Sequence, residues 1–161
     1  MWFFSQPKTS VLMVCSANIC RSPMAEGVLR SELVKLGLQR KVRVDSAGTG
    51  VGQRGRNADL RALDVCKSVG IDLRKARARQ ATEQDFLRFD YILAMDKRNE
   101  QWLLAHCPDH LASRISLITA WNDEENSVDI PDPYYGNKAG FDVVLDMLRP
   151  AISGFIRQVF E

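Results

Sequence analysis

An α/β fold built on a parallel sheet is predicted by three observations. Short apolar, partly β-branched runs recur along the chain, stretches of helical period separate them, and no internal repeat or low-complexity segment interrupts the alternation. A chain of 161 residues that is 45% hydrophobic and 26% charged has the length and balance of one globular domain with a single sizeable core. One domain over residues 1–161 is therefore expected, with residues 1–8 (MWFFSQPK) as a flexible N-terminal extension. The apolar patch in those residues is too short for a signal peptide or a membrane span, so no membrane insertion is expected and the cytoplasm is the expected compartment. There Cys15, Cys20, Cys66 and Cys107 would stay thiols, and no C-x-x-C pair or Cys/His cluster suggests zinc. A net charge of +2 does not argue for a nucleic-acid partner. Arg54, Arg56, Arg61, Arg74, Lys75, Arg77 and Arg79 crowd one stretch, which reads as a solvated face.

Residues 10–15 (SVLMVC) form the first strand, apolar and followed by small polar residues, as a buried parallel strand is. Ser22-Pro23 reads as an N-cap followed by proline at the first helical position, and Ala25, Val28, Leu29, Leu33 and Leu36 keep a helical stripe up to Gly37. Residues 42–47 make the second strand. Asp59 caps a helix carrying Leu60, Leu63, Cys66 and Val69, which Gly70 ends. Thr82-Glu83-Gln84-Asp85 resembles a capping box opening a short helix; residues 91–95 (YILAM) are a third strand, 98–105 are helical, and 115–118 are the fourth strand. A loop of roughly twenty residues rich in Asp, Asn, Pro and Gly follows, and a loop that long inside a compact domain is either functional or disordered. The last segment sets Phe141, Val144, Leu145, Leu148, Ile152, Phe155, Ile156 and Val159 on one helical face. Pro150 is expected to kink or split it, since proline costs a helix interior about 3 kcal/mol, although the unbroken period keeps both halves on one core.

The chemistry concentrates where strand one meets helix one. In Cys15-Ser16-Ala17-Asn18-Ile19-Cys20-Arg21-Ser22-Pro23, five small or polar residues separate a cysteine from an arginine at a helix N-terminus. Such a loop can turn consecutive backbone N–H groups onto an oxyanion, with the helix dipole behind it. Arg21 supplies a planar fork for two phosphoryl oxygens, and the same positive surroundings favour Cys15 as thiolate, the attacking form. Ser22 either caps the helix or donates to that thiolate.

These residues resemble the low-molecular-weight protein tyrosine phosphatases, whose hallmark is a cysteine, five residues and Arg-Ser near the amino end. The likeness extends over nearly the whole chain, through Asp45-Ser46-Ala47-Gly48-Thr49, Ala94-Met95-Asp96 and Asp132-Pro133-Tyr134-Tyr135-Gly136. The resemblance implies a four-stranded parallel sheet flanked by helices in a flavodoxin-like, doubly wound arrangement. It also implies no metal or cofactor, a cysteinyl-phosphate intermediate, and tyrosine-phosphorylated proteins as partners, an autophosphorylated kinase among them. Mapped onto this chain, Ser16, Ala17, Asn18, Ile19, Cys20 and Ser22 surround the phosphate, while Asn18 and Ser46 brace the loop by hydrogen bonds.

Transfer to a thiolate leaves a phenolate, so a general acid is required, and Asp132 in IPDPYYG is the candidate, with Asp129 as the alternative. Pro131 and Pro133 stiffen that loop, and Tyr134 and Tyr135 would wall the substrate ring. The chain departs from its relatives in three places. An aromatic and a histidine that many carry after Ser-Ala-Gly-Thr are replaced by a flexible, basic stretch including Gly52 and Gln53. Ala76 stands where relatives often have a loop-supporting histidine, so one outer bond is expected to be missing. Ala17 stands where glycine is frequent and would be strained if that site needs positive φ. Cys20, inside the loop, either packs beneath it as a buried thiol or traps oxidised Cys15 as a disulfide. Two other readings compete: arsenate reduction, which lacks its close cysteine pair here, and a catalytically idle phosphate-binding module.

Overall fold

The computed structural model describes residues 9–123 and 127–161. Four strands alternate with five helices: β1 (Thr9–Cys15), α1 (Arg21–Lys35), β2 (Val42–Gly48), α2 (Leu60–Lys67), α3 (Glu83–Arg88), β3 (Tyr91–Ala94), α4 (Lys97–His106), β4 (Ile115–Leu117) and α5 (Lys138–Phe160). Two short 3-10 segments, Asp109–Arg114 and Ile118–Trp121, flank β4. The strands form one parallel sheet in the order β2-β1-β3-β4, with Val11 opposite Val44 on one side and Tyr91 on the other. Alternation along β1 divides the core. Val11, Met13 and Cys15 pack into the layer holding α1, α2 and α5, whereas Leu12 and Val14 pack into the layer holding Phe86 of α3 and Leu103 of α4. The fold is thus the single doubly wound α/β domain expected. From β1 the chain moves to β2 on one side and later to β3 on the other, so a crevice opens between the carboxyl ends of β1 and β3. Cys15 closes β1 at that crevice, and Asp96 lies just beyond β3.

Several local expectations are corrected. Helix α1 opens at Arg21 with Cys20 as its N-cap residue, so Ser22 is inside the first turn; its hydroxyl faces Cys15 and Asn18 rather than capping. Helix α5 runs through Pro150 unbroken. Pro150 and Asp146, whose carbonyl the proline leaves without its usual N–H donor, both lie on the exposed side of the helix. Helix α2 ends at Lys67 and buries Ala62, Val65 and Cys66, leaving Leu60 77% exposed. Helix α2 packs against α5, with Ala62, Val65 and Cys66 as its buried face. The positive φ of the phosphate loop belongs to Asn18 (57°), not to Ala17, so alanine carries no strain there. The expected extension over residues 1–8 lies outside the described residues. Gly48, ending β2, is required by contact: a Cβ there would stand 2.5 Å from the Ser16 carbonyl oxygen.

Candidate active site

After Cys15 the chain wraps tightly before α1 begins, and the loop's carbonyls are drawn outward. The N–H of Thr49 donates to Cys15 O (2.9 Å), Gly50 to Ser16 O (3.0 Å), Asp59 to Ile19 O (2.8 Å) and Met24 to Cys20 O (3.2 Å). The N–H groups of residues 16–20 have no hydrogen-bond partner among the described residues. A run of free N–H groups before a buried helix N-terminus is an anion cradle.

Asn18 holds the loop's shape. Its φ of 57° is a left-handed conformation that asparagine tolerates better than most residues. Its amide is fully used: Oδ1 accepts from Arg79 N (2.9 Å), while Nδ2 donates to Ser22 Oγ (2.7 Å) and Ser46 Oγ (3.0 Å). Having accepted from Asn18, Ser22 can give its own proton to Cys15 Sγ at 3.0 Å, the Ala47 carbonyl at 3.4 Å being the longer alternative.

Arg21 is 2% exposed. Its Nη1 donates to the Asp96 carboxylate (2.6 Å) and to Ile130 O (2.9 Å). Nη2 reaches Ser16 Oγ at 3.4 Å and lies 3.8 Å from the Asp132 carboxylate. Nε has no partner among the described residues. One corner of the guanidinium is therefore an anchor, and the Nε/Nη2 edge is left for an oxyanion. Asp96 also caps α4 through Asn99 N (2.8 Å), and buried Asn99 donates from Nδ2 to Ser16 Oγ (3.1 Å).

A cavity of about 330 Å³ brings together Cys15, Arg21 and Asp132 with Ser16, Ala17, Ile19, Cys20, Tyr134 and Tyr135; Gly50, Gly52 and Arg56 complete its wall. Asp132 is half-exposed and accepts from Tyr134 N (3.1 Å). Asp129 points elsewhere, accepting from Lys97 N (3.0 Å) at the start of α4. The segment carrying Asp132 is clamped on both sides. Before it, Ile130 N donates to Met95 O (2.9 Å); after it, Arg61 donates to Tyr134 O (3.0 Å) and Gly136 O (2.8 Å). Asp59 grips Arg61 at 2.9 Å, and Arg61 holds the Asp59 carboxyl below the usual carboxylate range. Tyr134 is half-buried, whereas Tyr135 is 93% exposed with its ring 5.0 Å from that of Tyr134.

Burial, then the charges of Asp59, Cys15 and Asp132, pushes the Cys20 thiol up to about 12. Burial pushes Cys66 up to about 12 as well and raises Cys107; those two lie in separate core clusters, so they form no close pair. His106 stacks on Trp102 with ring centres 3.9 Å apart, and neither histidine lines the cavity. Among the described residues no group of three or more His, Cys, Asp or Glu side chains is disposed to hold a metal, and no helix is long and apolar enough to cross a membrane.

Sequence reasoning missed Asp96, Asn99, Arg61 and Arg79. Asp96 stood in a recognised motif without a role, and Arg61 and Arg79 were hidden in a basic run whose acidic partners are distant or unremarkable in sequence. Ala76 brings no hydrogen-bonding side chain to the loop; Ser46, one of the residues that hold Asn18, donates through Oγ to Glu26 Oε1 at 2.8 Å.

The sequence profile of the family described as low molecular weight phosphotyrosine protein phosphatase matches residues 10–161. A putative low molecular weight protein-tyrosine-phosphatase of Synechocystis is 37% identical over 147 residues, covering 91% of this chain and 93% of the relative. The low molecular weight phosphotyrosine protein phosphatase of Schizosaccharomyces pombe is 42% identical over 132 residues, covering 81% and 84%. Among solved structures, a protein tyrosine phosphatase from Entamoeba histolytica superposes with a TM-score of 0.89 at 37% identity, covering 94% of this chain and 96% of that one. YfkJ from Bacillus subtilis gives 0.89 at 33% identity over 98% and 99%. With this sheet order, this phosphate loop and these relatives, the chain belongs to the low-molecular-weight protein-tyrosine-phosphatase family.

Proposed function

We propose that this phosphatase hydrolyses phosphotyrosine in proteins, and small aryl phosphates, through a phosphocysteine formed on Cys15. The observation that carries the reading is the run of N–H groups following Cys15 that have no partner among the described residues, with Arg21 and Asp132 on the same cavity. The phosphoryl group sits in the cradle of residues 16–20, and the Nε/Nη2 edge of Arg21 binds two of its oxygens. The Cys15 thiolate, accepting from Ser22, attacks phosphorus as the P–O bond to the phenol breaks, and Asp132 gives its proton to the departing oxygen. Asp132, now a carboxylate, takes a proton from water; that water attacks phosphorus, the P–S bond breaks, and thiolate and inorganic phosphate result. Tyr134 and Tyr135 flank the aryl ring. The cytoplasm, where thiols stay reduced, suits such a nucleophile and phosphorylated proteins, including autophosphorylated kinases, as substrates.

The test is hydrolysis of phosphotyrosine peptides by wild type, Cys15→Ser and Asp132→Ala. Cys15→Ser is expected to abolish turnover while still binding vanadate. Asp132→Ala should slow phosphotyrosine far more than activated nitrophenyl esters, which leave without a proton. Turnover by Cys15→Ser would remove Cys15 as nucleophile; equal slowing of both esters would remove Asp132 as acid.

A further inference from the structure

We propose that Glu26 is a positioning residue for the nucleophile: its carboxylate anchors the hydrogen-bond network that holds Asn18 and keeps the Ser22 hydroxyl on the Cys15 sulfur. The proposal rests on the phosphatase reading, in which Cys15 reacts as thiolate.

The direction of every proton in this network can be worked out. Arg79 N–H points at Asn18 Oδ1, so the amide cannot flip, and its two Nδ2 protons run to Ser22 and Ser46. Ser46 has then accepted from Asn18 and must donate onward, which it does to Glu26 Oε1 at 2.8 Å. An ionised carboxylate only accepts, so Ser46 cannot reverse. Glu26 is itself held: its Oε2 accepts from Arg30 Nε at 2.9 Å, one turn further along α1, and Arg30 also reaches the Val44 carbonyl. Asn18, Ser22 and Ser46 are all buried, so a proton misdirected at Asn18 or Ser46 would be left without an acceptor, and one at Ser22 would have only the longer bond to the Ala47 carbonyl. Ser22 and Glu26, four residues apart on α1, both serve this network, one at the sulfur and one at its far end. Around Glu26 the other charged groups are Arg30, Asp72 and Lys75, which line a cavity of about 400 Å³ beside the small side chain of Ala76. Of these, only Arg30 binds Glu26 among the described residues.

The two ways Glu26 can act on Cys15 have opposite signs. As a bare negative charge near the sulfur it disfavours the thiolate, and its removal would favour it. As the anchor of the network it favours the thiolate, and its removal would disfavour it. Glu26→Gln separates them. The glutamine oxygen must face Arg30, because the reverse would set donor against donor; its NH₂ group then meets Ser46, whose own proton loses its acceptor.

The experiment follows inactivation of the full chain by iodoacetamide as a function of pH. Glu26→Gln is expected to move the midpoint of the profile upward by about half a pH unit or more. Glu26→Asp, which keeps the charge but withdraws it from Ser46, should move it upward too. Adding Arg30→Ala to Glu26→Gln lets the amide rotate and should return the midpoint toward wild type. An unchanged or lowered midpoint in Glu26→Gln overturns the proposal, and if urea melts show that variant unfolded, the same outcome in Glu26→Asp does so. Alkylation needs no substrate. Loss of the phosphatase reading would instead appear as wild-type protein without phosphotyrosine hydrolysis.

Discussion

Replacing Asp96 by asparagine removes the charge that anchors Arg21 and leaves one oxygen where two were used, so the cap at Asn99 N is kept only by turning the amide NH₂ toward Arg21. Removing one partner of a buried ion pair costs about 3–5 kcal/mol, because the other charge is left uncompensated in a dry setting. Two features of the site temper that figure: Asp96 is 16% exposed, and Asp132 stands 3.8 Å from Nη2. A loss of about 2–3 kcal/mol is therefore expected, equivalent to a fall in Tm of about 4–12 °C for a domain of this size. The catalytic effect runs through geometry. Freed at one corner, Arg21 can swing toward Asp132, so the phosphate edge is misplaced and the acid is engaged; kcat/KM should fall at least about tenfold. Urea unfolding and steady-state hydrolysis of p-nitrophenyl phosphate measure both. Stability within about 0.5 kcal/mol of wild type together with kcat/KM within about twofold would refute the anchoring role, since such small changes are typical of surface sites.

Cys20 lines the same cavity as Cys15, and we expect its thiol, held neutral at ordinary pH by burial, to condense with a Cys15 sulfenic acid, releasing water and leaving a disulfide. Peroxide should give a Cys15–Cys20 linked peptide and activity that dithiothreitol restores, whereas Cys20→Ser should be lost irreversibly; equal recovery rejects protection. Asp59 has a folded value depressed by its hydrogen bonds to Arg61, so its contribution to stability is complete above its unfolded value of about 4 and disappears as pH falls through the lower folded one. Wild type should lose urea resistance through that acid window more steeply than Asp59→Asn, and parallel slopes would contradict the assignment. At the rim, Arg54→Ala combined with Arg56→Ala should lower kcat/KM for acidic phosphopeptides at low salt, with the difference fading as the screening length drops below about 8 Å. Selectivity that persists at high salt would point to direct contact instead of steering.

The parts of the molecule that sequence reveals are those whose causes are local. The burial of β1, the stripe of α5 and the Cys15–Arg21 loop each arise from residues a few positions apart, so spacing alone displays them. Partnerships across the fold do not appear that way. Arg21 meets Asp96 seventy-five residues later, and Arg79 reaches back to Asp45 while supporting Asn18. Arg61 looks like surface charge until Asp59, Tyr134 and Gly136 are seen around it. The bond from Ser46 on β2 to Glu26 on α1 likewise joins residues twenty positions apart. Pro150 misleads differently: its cost depends on whether the orphaned carbonyl meets water or core, and periodicity cannot say which.

The segment carrying Asp132 has a kinetic consequence. Its backbone is fastened at Ile130 and again at Tyr134 and Gly136, so the acid spans a gap of only a few residues between fixed points. Enzymes whose acid rides on a mobile lid spend part of each turnover closing and reopening it, on the microsecond-to-millisecond scale. In the proposed mechanism Asp132 is then in place before substrate arrives. Turnover should then be governed by bond making and breaking at phosphorus, and added viscogen should leave kcat unchanged.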